Sequence, residues 1–228
     1  MKQAILIAGP YELANRLLPL LLNVLLIACS NSRSPATDIV ADHSIDTTKA
    51  KRVGRYWVTP KPSFKYNTSL PISSDTLVFV TCADYVFSPF GHVTNKDEIK
   101  RGLLKKFSVH DRVDTVQFVP EEYQIAKYRS SRLIYWFDSD PDASRHFSII
   151  KGDILDDDVL LLDSIRTGMS KAEFVAKFFD AFPDKLMDQY NIIAFESCVS
   201  DIRHTYLFKD GYLSAINFQC HCIWDVSY

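Results

Sequence analysis

SKAEFVAKFFDAF, residues 170–182, is the stretch whose reading decides the fold. Ser170 is a favoured helix N-cap residue and Glu173 stands three positions on. In that pattern the hydroxyl and the carboxylate satisfy backbone donors that a first helical turn leaves unpaired. Behind the cap, Phe174, Phe178 and Phe182 recur every four residues, which predicts an amphipathic helix with an aromatic face, stopped by Pro183. The same layout appears earlier in NKDEIKRGLLKKF, residues 95–107. Asn95 matches Ser170, Glu98 matches Glu173, and Ile99, Leu103 and Phe107 match the three phenylalanines. Two copies of one unit are expected, 75 positions apart.

Each predicted helix precedes strand-like segments. After the second come residues 192–199, 203–209 and 212–220, the last two joined by Asp210 and Gly211, an Asp-Gly pair suited to a two-residue hairpin turn. After the first come residues 115–119, 132–137 and 145–151, the last two joined by a longer loop over 138–144. A helix followed by an antiparallel meander, twice over, predicts an α+β fold with halves at residues 55–152 and 153–228.

Nearer the N-terminus, LLPLLLNVLLIACS, residues 17–30, is an apolar run ending at Cys29. Its apolar part is well short of the roughly 20 residues a membrane-crossing helix needs. It has the length of the apolar core of a secretory signal, preceded by Lys2 and Arg16 and closed by the small Ala28. The ending Leu26, Ile27, Ala28, Cys29 resembles the lipobox of bacterial lipoproteins. That resemblance implies a signal peptide over residues 1–28, cleavage before Cys29, and lipid on its thiol. Residues 29–54, rich in Ser, Thr, Asp and Lys, are expected to be a flexible tether with an end-to-end distance on the order of 25 to 30 Å. Ser30 beside the cysteine, by the same resemblance, favours an outer membrane, with the domain facing the periplasm.

In the second half, IRTGMSKAEF, residues 165–174, and YLFKDGYLSAINF, residues 206–218, resemble the SmpA/OmlA (BamE-like) envelope lipoproteins and the related β-lactamase-inhibitor-like fold. Members have a Gly-Met-Ser helix start and an aromatic Asp-Gly hairpin. The first half departs from this, with Phe90, Gly91 and His92 where the second has Gly168 and Met169. The resemblance implies a non-catalytic domain that binds another protein, often through its sheet, with no transferable binding residues.

Composition bounds the chemistry. The whole chain has a formal net charge of −2, and removing residues 1–28 takes away only Lys2, Arg16 and Glu12, so no nucleic-acid partner is expected. Lys100, Arg101, Lys105 and Lys106 cluster on the first helix with acids nearby, as a solvated face does. Seven glycines and the absence of HExxH, GxSxG and P-loop motifs leave no catalytic, metal or cofactor site to assign. Asp138, Asp140 and Asp142 alternate like the start of a calcium loop, but Ala143 and Ile149 stand where such a loop needs Gly and Glu, so a solvated hairpin loop is expected. Asp153, Asp156, Asp157 and Asp158 form a second acidic stretch.

Cys220, His221 and Cys222 alternate faces on a strand, a poor arrangement for three ligands to one metal. If Lys209 pairs with Tyr212, the end of the last strand returns toward residues 199–201, next to Cys198. A disulfide from Cys198 to Cys220 or to Cys222 is therefore expected. Tyr135, Trp136 and Phe137 must divide between two sheet faces, as must Tyr206, Leu207 and Phe208. The function expected is non-catalytic binding of another envelope protein or a cell-wall component, through sheet faces or loops, from a lipid-anchored domain. The alternatives are a lipid-anchored hydrolase or metal-dependent enzyme, and an inhibitor of a secreted hydrolase.

Overall fold

The computed structural model describes residues 48–116, 119–199 and 202–220. The expected signal peptide, Cys29, most of the tether and Cys222 lie outside the described residues. In chain order the elements are β1 (Lys51–Val53), β2 (Tyr56–Pro60), β3 (Tyr66–Pro71), β4 (Thr76–Thr81), α1 (Asp84–Phe87), α2 (Lys96–Glu98) running into a π-helical turn (Ile99–Leu103), β5 (Ser108–Val116), β6 (Val119–Tyr128), β7 (Ser131–Phe137) and β8 (Phe147–Ile154). After these come a 3-10 turn (Leu162–Ser164), α3 (Lys171–Phe178), β9 (Phe179–Ala181), α4 (Asp184–Gln189), β10 (Ile192–Ser197), β11 (Ile202–Lys209) and β12 (Tyr212–Cys220). The described helices are few and short and the sheet content is mostly antiparallel, an α+β character. No helix among the described residues is long and apolar enough to cross a membrane.

Helix α3 starts as its sequence dictates. The Ser170 hydroxyl accepts from the Glu173 amide at 3.2 Å, and the Glu173 carboxylate accepts from the Ser170 amide at 2.9 Å. Phe174 and Phe178 are buried against Tyr206 and Phe195, with ring centroids 4.5 and 4.6 Å apart. Pro183 does not stop this helix. The chain leaves it at the extended Phe179, pairs β9 with β2, and uses Pro183 as the N-cap of α4.

The first copy behaves differently. Asn95 caps as expected, its side chain accepting from the Glu98 amide at 2.9 Å, but the α-helix ends after three residues. It gives way to a π turn in which Leu104 donates to the Ile99 carbonyl. The wider turn adds one residue to the spacing and brings Leu104 into the core with Ile99 and Phe107, while the side chain of Leu103, the remaining position expected to be buried, lies outside the described ones.

Nine strands form one sheet in the order β3-β4-β10-β11-β12-β8-β7-β6-β5, antiparallel throughout except for β4 beside β10. Three further strands form a small sheet, β1-β2-β9. The second meander is close to expectation, with strands at 192–197, 202–209 and 212–220. Asp210 and Gly211 both have positive φ, 53° and 80°, as the predicted two-residue turn requires. In the first half, where one strand was expected over 115–119, β5 ends at Val116 and its antiparallel partner β6 begins at Val119, with residues 117 and 118 outside the described residues. Lys51–Val53, expected within the tether, is a strand paired with β2. The boundary expected at 152/153 falls inside β8, which pairs with β12 and so carries the sheet across it.

Register sorts the residues into two faces. The row Phe79, Phe195, His204, Phe218, Gly152, Leu133, Ala126 runs across seven strands, directly opposite one another in turn, and every member is buried. On this inner face lies the main core, joined by Val58 of the small sheet, Val86 of α1, Ile99, Phe174 and Leu186.

Candidate functional site

The outer face of the nine-stranded sheet is built from the alternate residues. One row reads Leu70, Val78, Ala194, Thr205, Asn217, Asp153, Arg132, Lys127, each opposite the next. Another reads Val80, Glu196, Arg203, Gln219, Lys151, Ile134, Ile125. Polar side chains occupy the middle strands, and some are tied together. Asn217 donates to Asp153 at 2.6 Å, and Arg132 Nε lies 3.3 Å from the same carboxylate. Apolar groups flank them, Ile192 and Leu207 on one side, and on the other Tyr123, Ile125, Ile134 and Ile150 with Trp136 packed against them. Gln219, Lys151, Arg132 and Lys127 are exposed. The expected division of the aromatics holds: Tyr135 is inward and Trp136 outward, Tyr206 and Phe208 inward and Leu207 outward.

A cleft of about 850 Å³ opens beside α2. Its floor is Val93, Phe107 and Val159, all buried, and Leu160 stands at its rim, half exposed. One wall is the π turn and the residues just after it, with Arg101, Gly102, Lys105 and Lys106. Hence three of the four cations read as a solvated face border a concavity. The carboxylates here are held within the protein. Glu98 accepts from the Thr94 amide at 2.8 Å and from the Asn95 side chain at 3.0 Å, bonds that hold its carboxyl below the usual range. Asp97 pairs with Arg101 at 2.6 Å. Asp158 accepts from the Tyr128 hydroxyl at 2.7 Å and from Lys106 at 3.0 Å, and these two bonds lower its pKa. Gly102 has neither a positive φ nor any atom within 4 Å of where a Cβ would sit, so its backbone geometry does not call for glycine. A helical glycine is disfavoured by about 1 kcal/mol relative to alanine.

The remaining candidates are structural. Asp138 and Asp140 each accept the amide two residues on, and the loop is closed by the Asp138 amide donating to the His146 carbonyl. Asp156 accepts from both the amide and the hydroxyl of Ser131. Among the described residues no three His, Cys, Asp or Glu side chains form a group able to hold a metal. Lys171 is buried and its ammonium donates to the Met187 and Tyr190 carbonyls at 2.9 Å each, fastening α3 to the end of α4. Burial lowers its pKa. His204 is buried on the inner face with Nδ1 unpartnered, and burial pushes its pKa down to about 3, so it is neutral at physiological pH.

The expected bridge from Cys198 to Cys220 or Cys222 is not what forms: Cys198 is bonded to Cys82, with Cα atoms 5.5 Å apart. Parallel pairing of β4 and β10 ends at Ser197 opposite Thr81, which sets the next residues, Cys198 and Cys82, side by side. Cys220 is itself disulfide-bonded.

Compared with protein-family models, with curated proteins and with solved structures, the chain finds no match in any of the three.

Proposed function

We propose that this chain is a lipid-anchored envelope protein that holds another envelope protein or a cell-wall component through the outer face of its sheet, without catalysis. In this reading residues 1–28 are a signal, Cys29 carries lipid at an outer membrane, and two related helix-plus-meander halves supply the sheet. The observation that carries it is the outer face itself. Nine strands at about 4.8 Å spacing make a surface about 40 Å across, the scale of the roughly 800 Å² that each partner contributes to a stable interface. Its polar centre can set register with a partner while the apolar flanks supply burial. Anchoring within tens of ångströms of a bilayer raises the effective concentration of whatever else is held there, so modest contacts suffice.

The test uses the full chain in intact envelopes with a photo-crosslinking residue at Thr205 or Gln219 on the outer face, or at Lys185 on the helical side. Discrete adducts from the first two positions and none from Lys185 are expected. No adducts from the face, or equal adducts from all three, would refute the reading. Mass spectrometry of the membrane-bound protein checks the anchor separately, through a lipid-modified N-terminal Cys29.

A further inference from the structure

We propose that the cleft beside α2 is a binding site for a small organic anion, a phosphate or carboxylate joined to an apolar body such as a single ring. This site is separate from the outer sheet face and does not rest on that reading. Three observations converge on it. First, the volume of about 850 Å³ lies in the range of small-molecule sites, and the floor of Val93, Phe107 and Val159 is apolar, as such sites are. Leu160 extends that apolar surface to the rim, where 54% of it is exposed.

Second, one cation of the lining is left without a direct partner among the described residues, although acids and bases there balance in number. Asp97 is matched by Arg101, and Asp158 by Lys106 with Arg129 at 3.5 Å, while the Glu98 carboxylate is engaged by Thr94 and Asn95. Lys105 lines the same wall, is exposed, and makes no ion pair or hydrogen bond among the described residues. An unpaired ammonium beside an apolar floor favours a ligand that brings a negative charge and something apolar to bury, while the Glu98 carboxylate, held ionised by the neutral donors Thr94 and Asn95, stays engaged in its own hydrogen bonds. Lysine suits this as a flexible point charge.

Third, the wall is a π turn, a departure from helical geometry found mostly as single turns and frequently at functional sites. Gly102 lies within it and lines the cleft although its own conformation does not require glycine. The missing side chain leaves the backbone open to close approach by a ligand. Lys105 supplies the counter-charge, the floor holds the apolar body, and Gly102 keeps the mouth clear.

The test is calorimetric titration of the full-length protein with four soluble probes: phenyl phosphate, phenylacetate, inorganic phosphate and phenol. Phenyl phosphate or phenylacetate should bind at least about tenfold more tightly than inorganic phosphate and phenol, and which of the two binds better separates a phosphate from a carboxylate ligand. Lys105→Ala should weaken that binding about tenfold, and Gly102→Val should abolish it. Lys61→Ala, outside the cleft, should leave it unchanged. Lys105 is exposed, so its variant retains the fold, which circular dichroism verifies. No heat from either organic anion at about 10 mM, roughly ten times the concentration that would half-fill a site binding with about 4 kcal/mol, would overturn the proposal. So would affinity unchanged in Lys105→Ala, or inorganic phosphate binding as tightly as phenyl phosphate.

Discussion

His204 is a residue whose sequence neighbourhood gives no hint of its state. It sits in the middle of the inner row, its ring 4.7 Å from that of Phe218 and 6.1 Å from that of Tyr85, and burial lowers its pKa to about 3. In the unfolded chain the same imidazole titrates near 6.5. Between those values the unfolded state binds a proton that the folded state refuses, so stability is lost as pH falls from about 6.5 toward 3, at up to about 1.4 kcal/mol per pH unit. Above about 6.5 both states are neutral and the residue contributes no pH dependence. Glu98, Glu173 and Asp158, whose carboxyls are held below their ordinary range by hydrogen bonds, add their own losses at lower pH. The interval from about pH 6.5 to 5 therefore isolates the histidine. Urea unfolding across it should show a slope in the wild type that flattens in His204→Leu. Equal slopes in the two proteins would mean that His204 is protonated inside the fold.

At the scale of elements, two segments of the same pattern became two different structures. Ser170 and Glu173 complete a reciprocal cap and lead into residues that favour a helix, so α3 runs for eight residues. Ser170→Ala removes one half of that cap and should lower stability by about 1 kcal/mol, read as a lower urea midpoint at unchanged slope. A loss below about 0.3 kcal/mol would show that packing alone holds the helix start. In the other segment Asn95 also caps, yet Gly102 lies four residues after Glu98 and the helix widens into a π turn there. A cap starts a helix; the residues behind it decide its length and winding.

For the whole molecule, the decisive pairing is between β4 and β10. It joins an early strand to a late one in parallel, and the Cys82–Cys198 bridge closes a loop of 116 residues at its end. Chain-entropy reasoning puts the stabilisation from a loop of that size at several kcal/mol, and losing a native bridge from a small domain costs about 2 to 5 kcal/mol. The double variant Cys82→Ser, Cys198→Ser should be destabilised by that amount in urea. Non-reducing peptide maps of the unmodified protein should link the two cysteine-bearing peptides. A map in which Cys198 is joined to Cys222 would contradict this topology.

How much of this was legible beforehand depends on the range of the interactions involved. The cap at Ser170, the Asp-Gly turn, the three late strands and the α+β character rest on residues within a few positions of one another, and the sequence alone determined them. The second hairpin was legible only as far as its turn. A register shift between Leu207 and Phe208 puts Leu213 and Ile216, an odd number of positions apart, on the same buried face, so alternation in the sequence loses track of the outer row. The cleft was legible only as scattered cations, with Gly102 the one local sign that the helix carrying them was not ordinary. The partner of Cys198, the strand in the expected tether and the continuity of the sheet through β8 and β12 were decided by tertiary structure. Each depends on which strands lie side by side, and that is set by burying the inner-face aromatics as one core, a condition on the whole chain that no local window contains.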